Sequence, residues 1–449
     1  MSALFGTDGI RGVANTELTP ELTFRLGRAA ASVLGEGDAP IVVGRDTRVS
    51  GSMLEAAIVA GISSAGRNAL LLGIVPTPAV ACVAREIGAP GAVISASHNP
   101  VPDNGIKFFG ADGFKLSDRR ENEIATALDD PSLPRPTGIA VGTIRAAHNL
   151  GRHYYRELYA GEPDLSGLHV IVDAGYGAAY AIAPYALRKL GATVTELHCE
   201  NDGARINVEC GATDLRLLQA SVRDRLEAGH RNTIGVAFDG DADRALFVDE
   251  TGAVLSGDHV LYAIGSDMHQ RHELAGDTIV ATVMSNIGLE TALSAKQVAL
   301  ERTAVGDRYV LERMRERGRT LGGEQSGHVI DFRYNTTGDG PRTAVTLLSV
   351  VATAKTTLHE LVRDVRVAPQ VLVNVHGRNG DVLTRASVLA EIAAAEEELG
   401  RTGRLLVRPS GTEPLIRVMA EGENRDLIES IAARLAAQIE REVGASEAP

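Results

Sequence analysis

Short apolar segments alternate with helix-length segments along most of this chain. In the first unit, apolar runs at 41–43, 69–74 and 92–95 predict strands, and the stretches between them have helical character, with Ser50 and Thr77 expected as helix caps. This β-α-β-α-β order predicts a buried parallel sheet with right-handed crossovers, because parallel neighbours need a long connection. Ligand sites in such sheets lie at the carboxyl ends of the strands.

The same alternation predicts two more α/β units and a different terminal domain. The second unit is expected to contain strand 170–173, helix 178–190, strand 193–197, helix 213–227 and strand 233–238. The third is expected to contain helix 258–268, strand 278–283, helix 287–295, strand 298–303, helix 307–317 and strand 321–324. The last stretch is expected to contain strand 371–375, helix 387–399, strands 405–407 and 415–420, and helix 425–443. The predicted fold class is α/β, with three similar units and a smaller C-terminal α+β domain.

Composition narrows the classes of protein. With 449 residues the chain is too long for one hydrophobic core, which predicts several domains. The formal net charge of −13 argues against binding of nucleic acid or an anionic membrane, since both need a basic surface. The 3 cysteines lack C-x-x-C spacing, so neither disulfides nor a zinc site is expected, and the cytoplasm is the expected location. The first residues lack signal-peptide regions, and no apolar run reaches the roughly 18 residues of a membrane span.

A serine in a short polar loop is the first chemical signal. The apolar run before it ends in Ser95-Ala-Ser97-His98-Asn99-Pro100, and Lys107 follows further on. A hydroxyl at the end of a strand, beside a histidine, suits a residue that takes part in chemistry. The loop does not match the G-x-S-x-G elbow of esterases, so some other group must make Ser97 useful.

Three aspartates, Asp239, Asp241 and Asp243, are the second signal. The apolar segments before and after them predict a strand-loop-strand tip. Residues two apart on a strand lie about 6.6 Å from each other, but Gly240 and Ala242 are small enough to let the backbone curl and the carboxylates converge. Because three unpaired anions repel each other, a divalent cation such as Mg²⁺ is expected between them.

Three other interpretations of these aspartates stay open. With Glu250 they match the spacing of an EF-hand loop, but Arg244 stands where that loop needs glycine. An Asp-x-Asp after an apolar strand also resembles the aspartate-nucleophile phosphatases, although Asp243 replaces their usual threonine or valine. The third interpretation is a solvated acidic turn.

Two further loops have side chains suited to ligands. Residues 323–328 read Gly-Glu-Gln-Ser-Gly-His between apolar strands, which suits recognition of ligand hydroxyls. Residues 408–417 combine arginines, hydroxyls and glycine amides, which suits a phosphate, because backbone N–H groups and guanidinium forks both bind anions. Each loop also reads as an ordinary turn, and the loops 5–12, 44–48 and 305–308 are weak signals by themselves.

Together, these loops resemble the motifs of the α-D-phosphohexomutase superfamily over essentially the full chain. The matching motifs are T-D-G-I-R-G from Thr7, S-A-S-H-N-P from Ser95, D-G-D-A-D-R from Asp239, G-E-Q-S-G-H from Gly323 and R-P-S-G-T-E-P-x-I-R from Arg408. The opening residues 5–12, Gln325 and the run 335–340 make the chain most similar to the phosphoglucosamine mutase branch.

The resemblance implies a role for each motif. Ser97 is expected to be a phosphoserine and, with Asp239, Asp241 and Asp243, to hold one Mg²⁺ per chain. The expected substrate-binding residues are Gly306, Asp307, Glu324 and Ser326, the last two on sugar hydroxyls, and Arg408, Ser410, Gly411, Thr412 and Arg417 on the phosphate that is not transferred. The residues expected to line the active centre, without assigned acid and base roles, are Arg11, His98, Lys107, Arg244 and His328.

The resemblance also implies an architecture of mixed, mainly parallel sheets around a central cleft. The expected domains are 1–150 with the phosphoserine, 151–255 with the metal, 256–367 for the sugar and 368–449 for the phosphate. The expected partner is a hexosamine phosphate, with neither nucleic acid nor membrane, and a homodimer is left open.

The implied activity is interconversion of glucosamine 6-phosphate and glucosamine 1-phosphate through a bisphosphorylated sugar, which also acts as activator. The product would supply UDP-N-acetylglucosamine and cell-wall synthesis. Three alternatives remain: a phosphomannomutase or phosphoglucomutase of the same superfamily, a metal-dependent sugar-phosphate phosphatase with Asp239 as nucleophile, and a non-catalytic sugar-phosphate sensor.

Overall fold

The computed structural model describes residues 4–6, 8–35, 38–376, 380–400, 402–409 and 415–447. The chain folds into two compact units, one of residues 1–282 with 301–363 and the other of residues 283–300 with 364–449. The first compact unit contains the sheets of the three predicted α/β units, which are called the first, second and third layers below. The second compact unit contains the terminal α+β sheet. The α/β fold class is therefore confirmed.

The first layer has a six-stranded sheet in the order β1-β5-β4-β2-β3-β6. Its elements are β1 (Ile10–Val13), α1 (Pro20–Val33), β2 (Ile41–Arg45), α2 (Gly51–Ser64), β3 (Ala69–Ile74), α3 (Thr77–Ile87), β4 (Gly91–Ile94), β5 (Asp103–Phe109), α4 (Asp118–Ala127), β6 (Ile144–Ala146) and α5 (His148–Glu157). Strands β4, β2 and β3 are parallel, as predicted, and β6, which was not predicted from the sequence, is parallel to β3. Strand β5 is antiparallel to β4 and β1. Since Arg45 of β2 pairs with Ile94 of β4, the loops that follow these two strands lie side by side.

Two predicted helix caps differ in the structure. The Ser50 side chain makes no capping hydrogen bond to α2, and its hydroxyl accepts the Asn104 amide at 2.9 Å. Thr77 is the first residue of α3, with Pro76 as the N-cap, and its hydroxyl donates to Asp241 Oδ2 at 2.6 Å. Both hydroxyls therefore bind tertiary partners, which compete with local capping.

The second layer has a five-stranded sheet in the order β11-β10-β9-β7-β8. Its elements are β7 (His169–Asp173), α6 (Ile182–Lys189), β8 (Thr193–Leu197), α7 (Arg216–Glu227), β9 (Thr233–Phe238), β10 (Ala245–Val248) and β11 (Val254–Leu255). Strands β8, β7 and β9 are parallel, and β9 and β10 form an antiparallel pair in which Phe238 faces Ala245. The predicted strand-loop-strand tip is therefore present. Helix α6 begins later than predicted, because the Ala178 N–H donates to the Gly240 carbonyl at 2.8 Å instead of starting a helix.

The third layer has a four-stranded sheet in the order β13-β12-β14-β15. The elements along this part of the chain are α8 (Gly257–Gln270), β12 (Thr278–Thr282), α9 (Ile287–Ala295), β13 (Ala299–Thr303), α10 (Asp307–Arg317), β14 (Leu321–Gly323), β15 (Val329–Asp331), α11 (Gly340–Ala354) and α12 (Leu358–Val362). Strands β12 and β14 are parallel, and β14 and β15 are antiparallel. Helix α9 belongs to the second compact unit.

The second compact unit has a three-stranded antiparallel sheet in the order β16-β18-β17. The elements along this part of the chain are β16 (Gln370–His376), α13 (Ala386–Leu399), β17 (Gly403–Pro409), β18 (Leu415–Gly422) and α14 (Arg425–Glu447). Val375, Ile416 and Leu435 are part of its buried core. Within the described residues of both units, no helix is long and apolar enough to cross a membrane.

Candidate active site

Ser97 lies in the loop of residues 95–102 that follows β4, here called the serine loop. It is 1% exposed, and its φ of +52° puts the backbone in the left-handed region that side chains other than glycine rarely adopt. The Ser97 Oγ donates to Asp239 Oδ2 at 2.6 Å and lies 3.2 Å from His98 Nδ1. The partner missing from the sequence around Ser97 is therefore an aspartate from the second layer.

Asp239, Asp241 and Asp243 belong to the loop between β9 and β10, here called the aspartate loop (residues 239–244). One carboxylate oxygen from each lies within 4.8 Å of the others, and all three residues are buried. Ala242, at a φ of +56°, produces the predicted curl of the backbone. In the described part of the chain, Asp241 Oδ1 and Asp243 Oδ1 are buried without a hydrogen-bond partner. Such orphaned carboxylate oxygens fit a bound divalent cation.

The pKa values of Asp239 and Asp243 shift in opposite directions. Burial and the neighbouring charges of Asp243 and Asp241 raise the pKa of Asp239 to about 8. Although burial alone would raise the pKa of Asp243, the cationic Lys107 and His328 beside it hold that pKa far below its usual value. The flanking elements are strands, which excludes the EF-hand interpretation, because that motif needs a helix on each side of the loop.

Lys107 and Arg244 lie beside the aspartates. Lys107 Nζ lies 3.2 Å from Asp241 Oδ2 and 3.6 Å from Asp243 Oδ2. Although burial opposes its charge, the carboxylates of Asp241, Asp8 and Asp243 raise the pKa of Lys107 well above its usual value. The backbone N–H of Arg244 donates to Asp239 Oδ1 at 3.2 Å, and its guanidinium Nε lies 3.8 Å from Asp243 Oδ1. The structure therefore places both cations beside the aspartate loop.

Arg11 reaches the serine loop from β1. Its Nη1 donates to Asn99 Oδ1 at 3.0 Å, and its Nη2 pairs with Asp8. Asp8 also pairs with Lys107 Nζ at 3.0 Å and with Lys115 Nζ at 2.7 Å. Although burial alone would raise it, these cations hold the pKa of Asp8 well below its usual value.

The two predicted histidines have opposite environments. Burial and the nearby Arg244 and Arg11 lower the pKa of His98 to about 4, so its imidazole is neutral near pH 7. Burial also disfavours charge on His328, but the Asp243 carboxylate raises the pKa of His328 above its ordinary value. The His328 Nδ1 lies 3.6 Å from Asp243 Oδ1. Of the two, His328 is thus the one that can hold a proton next to the aspartate loop.

The predicted sugar-binding residues come together within the third layer. Glu324 Oε1 accepts the Gly306 N–H at 3.1 Å, and the Ser326 hydroxyl donates to Glu324 Oε2 at 3.2 Å. Asp307 Oδ2 lies 3.6 Å from His328 Nε2 and pairs with Lys115. Because Lys115 also pairs with Asp8, ion pairs link Asp307 to the residues around Ser97.

The predicted phosphate cradle belongs to the second compact unit. Arg408 of β17 and Arg417 of β18 are direct partners across the antiparallel pair. Burial and the charge of Arg417 lower the pKa of Arg408, and adjacent guanidinium groups of this kind favour an anion. The other predicted residues of the cradle, Ser410, Gly411 and Thr412, lie outside the described residues.

Sequence reasoning missed the parts played by Lys115, Asp8 and Thr77. Lys115 joins Asp8 to Asp307, and the Thr77 hydroxyl and N–H both donate to Asp241. Asp8 was visible inside the first motif, but Lys115 follows an ordinary Gly-Phe pair, and Thr77 read as a helix cap. No local pattern in the sequence shows that these side chains reach residues far along the chain.

Family models match the chain in four parts, of which the last two overlap. All four describe phosphoglucomutase/phosphomannomutase: α/β/α domain I matches residues 2–134, domain II residues 153–252, domain III residues 256–367 and the C-terminal domain residues 349–438.

Relatives of known name and solved structures agree with these models. A phosphoglucosamine mutase of Moorella thermoacetica is 50% identical, covering 97% of this chain and 98% of its own. A phosphoglucosamine mutase of Saccharopolyspora erythraea is 49% identical, with coverage of 97% and 98%. A phosphoglucomutase/phosphomannomutase family protein of Burkholderia thailandensis shares the fold with a TM-score of 0.82 at 24% identity, covering 100% of this chain and 98% of its own. An N-acetylphosphoglucosamine mutase of Aspergillus fumigatus, solved with GlcNAc-6P and magnesium, has a TM-score of 0.66 at 16% identity, with coverage of 98% and 96%.

The family and its branch follow from these matches over nearly the whole chain. This chain belongs to the α-D-phosphohexomutase superfamily, in its phosphoglucosamine mutase branch.

Proposed function

We propose that this protein interconverts glucosamine 6-phosphate and glucosamine 1-phosphate through a phosphorylated Ser97. The observation that carries the proposal is the 2.6 Å hydrogen bond from Ser97 Oγ to Asp239, which joins the serine loop to three convergent carboxylates. The similarity to phosphoglucosamine mutases over nearly the full chain supports the amino-sugar substrate.

The reaction consists of two phosphoryl transfers at one serine. In the first, the bond between phosphorus and Ser97 Oγ breaks while phosphorus bonds to the sugar O1; the 1-hydroxyl proton passes to a base, and Ser97 Oγ takes up a proton. In the second, after the bisphosphorylated sugar turns round, the bond between phosphorus and the sugar O6 breaks while phosphorus bonds to Ser97 Oγ; the Ser97 hydroxyl proton passes to a base, and the sugar O6 takes up a proton. Such transfers depend on in-line placement and charge neutralisation. Lys107 and His328, both buried beside the aspartates, are the proposed proton-transfer groups. Because the raised pKa of Lys107 keeps its ammonium protonated, His328 is the proposed base of the pair.

The aspartate loop is the proposed Mg²⁺ site. Asp239, Asp241 and Asp243, with the phosphate on Ser97, would hold the ion, which neutralises charge on the transferred phosphoryl group. The support is the convergence of the three carboxylates and the two oxygens left without hydrogen-bond donors in the described residues.

The sugar and its second phosphate are assigned to the remaining predicted residues. Glu324 and Ser326, with Gly306 and Asp307, are proposed to contact the sugar. Arg408 and Arg417, with Ser410, Gly411 and Thr412, are proposed to hold the phosphate that is not transferred. The domain boundaries 1–150, 151–255, 256–367 and 368–449, the bisphosphorylated sugar as activator and a cytoplasmic location are kept as proposals.

An activity assay with a serine variant tests the function. Purified protein with Mg²⁺ and a trace of glucosamine 1,6-bisphosphate should convert glucosamine 6-phosphate faster than glucose or mannose 6-phosphate. Ser97→Ala should lose turnover at least a thousandfold while keeping its circular dichroism spectrum, and Ser132→Ala, an exposed serine of the same layer, should stay active. Full activity of Ser97→Ala, or absence of phosphate on Ser97 by peptide mass spectrometry after the bisphosphate is added, would contradict the proposal.

The same assay separates the alternatives. A phosphatase with Asp239 as nucleophile would release inorganic phosphate steadily and keep that activity in Ser97→Ala. A sensor would bind hexose phosphates without moving label between positions 1 and 6. A phosphomannomutase or phosphoglucomutase would prefer mannose or glucose 6-phosphate over the amino sugar.

A further inference from the structure

The backbone of Ser97 is held on both sides in its left-handed conformation. Its N–H donates to Ser95 Oγ at 2.9 Å, and the Ser95 hydroxyl donates in turn to Asp46 Oδ2 at 2.6 Å. Its carbonyl accepts two side-chain donors, Arg48 Nη2 at 2.9 Å and Asn207 Nδ2 at 2.8 Å. A non-glycine residue at positive φ persists only where its surroundings determine the conformation, and these contacts supply that determination.

Arg48 holds the serine loop from the first layer. Its side chain is fully buried, and its Nε donates to Asp46 Oδ2 at 3.0 Å. Its two terminal nitrogens donate to four carbonyls of the serine loop and the residue after it. Those carbonyls belong to Ser97, Asn99, Pro100 and Asp103. The guanidinium therefore fixes the backbone of the serine loop, and all of its N–H donors are used within the protein.

Asn207 holds the same loop from the second layer. Its amide donates to the carbonyls of Ser97 and, at 3.2 Å, Asn99. Asn207 is itself left-handed, with a φ of +60°, and its N–H donates to the Gly175 carbonyl at 3.0 Å. Asn207 thus connects the serine loop to the layer that carries the aspartate loop.

We propose that Arg48 and Asn207 are positioning residues that hold the Ser97 peptide so that its Oγ faces the aspartate loop. The proposal rests on the proposed function, in which the same Oγ must give up and take back a phosphoryl group in each turnover. Arg48 fixes the serine loop within its own layer, and Asn207 fixes its distance from Asp239 in the next. Neither side chain is assigned a contact with substrate, so both act through Ser97.

The test uses Asn207→Gly, since glycine accepts the left-handed backbone and removes the amide donors without adding charge. The matched control is Glu209→Gly, which makes the same change at an exposed left-handed residue, φ +51°, of the same segment. Each full-length protein is phosphorylated with glucosamine 1,6-bisphosphate, and a single turnover with glucosamine 6-phosphate gives the transfer rate constant. Calorimetry gives the Kd of glucosamine 6-phosphate. Hydrogen–deuterium exchange reports on the peptide containing residues 95–103.

Asn207→Gly is expected to slow transfer at least tenfold, to leave the Kd within twofold and to speed exchange in the serine loop, whereas Glu209→Gly changes none of these. Arg48→Lys, which keeps the charge but loses the forked donors, is expected to slow transfer further. Transfer within twofold of the unmodified protein in Asn207→Gly, with unchanged exchange, would overturn the proposal even if the melting temperature fell. If the unmodified protein does not transfer phosphate to the sugar, the proposed function fails, while exchange in the serine loop still decides the positioning role.

Discussion

Asp239 is a buried carboxyl that is both close to other carboxylates and an acceptor of hydrogen bonds. Burial and the neighbouring carboxylates of Asp243 and Asp241 raise its pKa to about 8, yet it accepts hydrogen bonds from Ser97 and the Arg244 N–H. A carboxyl in that position gains from any cation that lets it stay ionised. An ionised Asp239 is therefore destabilising by itself, and its hydrogen-bond donors and a nearby cation offset that effect.

Gly240 determines how closely the aspartate loop approaches Ser97. A Cβ at this position would lie 2.5 Å from the Ser97 carbonyl oxygen and 2.8 Å from Ile206 Cδ1. Gly240→Ala should therefore push the two loops apart and lower kcat at least tenfold, with a loss of about 1–3 kcal/mol of stability from overpacking. Steady-state kinetics and urea unfolding measure both effects. Gly444→Ala, where a Cβ meets open space, is the control, and wild-type kcat in Gly240→Ala would contradict the close approach.

Cys199 illustrates how burial suppresses a reactive side chain. Its thiol donates to the Leu197 carbonyl at 3.3 Å, and burial raises the pKa of Cys199 to about 12. Since the thiolate is the nucleophile, alkylation at pH 8 should be roughly a thousandfold slower than that of a small thiol and should rise about tenfold per pH unit. Mass spectrometry after iodoacetamide treatment measures the rate, and protein unfolded in urea is the control. Labelling of the folded protein at the rate of a free thiol would contradict this prediction.

The side chains of the site are positioned mainly by the ends of helices and strands. The parallel pairing of β2 with β4 brings the loops containing Asp46 and Ser97 together, and the β9–β10 pair presents the aspartates. Helix α11 begins in a buried polar cluster: Asp339 accepts the Arg342 N–H at 2.9 Å and the Tyr154 hydroxyl at 2.6 Å. Elements distant in sequence are thus joined through helix caps that use tertiary partners.

Loss of the Tyr154 hydroxyl should destabilise the start of α11. Burial and the Asp339 carboxylate raise the pKa of Tyr154 well above its usual value, so the phenol stays protonated and donates throughout the neutral range. Tyr154→Phe removes this donor from a buried acceptor and should lower the free energy of unfolding by about 1–3 kcal/mol. Urea denaturation at pH 7 measures the change. Tyr185→Phe, at a half-exposed ring, is the control, and an equal effect in both variants would contradict the role of the hydrogen bond.

For the whole molecule, the proposed metal site predicts that stability depends on a bound cation. The chain has a formal net charge of −13, and three of its acids converge without enough hydrogen-bond donors among the described residues. A ligand that binds only the folded state stabilises that state in proportion to the logarithm of its concentration. If the aspartate loop binds Mg²⁺ as proposed, metal binding and folding are coupled in this protein.

Mg²⁺ should raise the melting temperature, and the aspartate loop should be responsible. At an ion concentration about a hundred times the Kd, the expected gain is about 2.7 kcal/mol. Asp243→Asn should abolish most of the shift, while Asp38→Asn, at an exposed residue, should keep it. Differential scanning calorimetry with EDTA and with Mg²⁺ measures the shifts. An unchanged Mg²⁺ response in Asp243→Asn would contradict the assignment of the metal to this loop.

The sequence by itself predicted the elements with a clear local periodicity and the chemistry of the loops. The alternation of short apolar runs with amphipathic segments is local, so helices such as 287–295 and 307–317 were predicted with the bounds that the structure shows. The motifs that contain Ser97 and the three aspartates could be recognised in the sequence, because their chemistry requires particular side chains at short spacings.

Only the tertiary structure decided which loops meet. Thr77 was predicted as a helix cap, but its hydroxyl donates to Asp241. Arg48 lies in a loop that was a weak signal by itself, and Lys115 had no local signal. Their partners lie far along the chain, and contacts of that kind depend on sheet order and layer packing, which periodicity does not encode. The hydroxyl of Ser97 could be recognised in one loop, whereas the carboxylate that accepts its hydrogen bond belongs to a loop of another layer, placed there by the strand order of that layer.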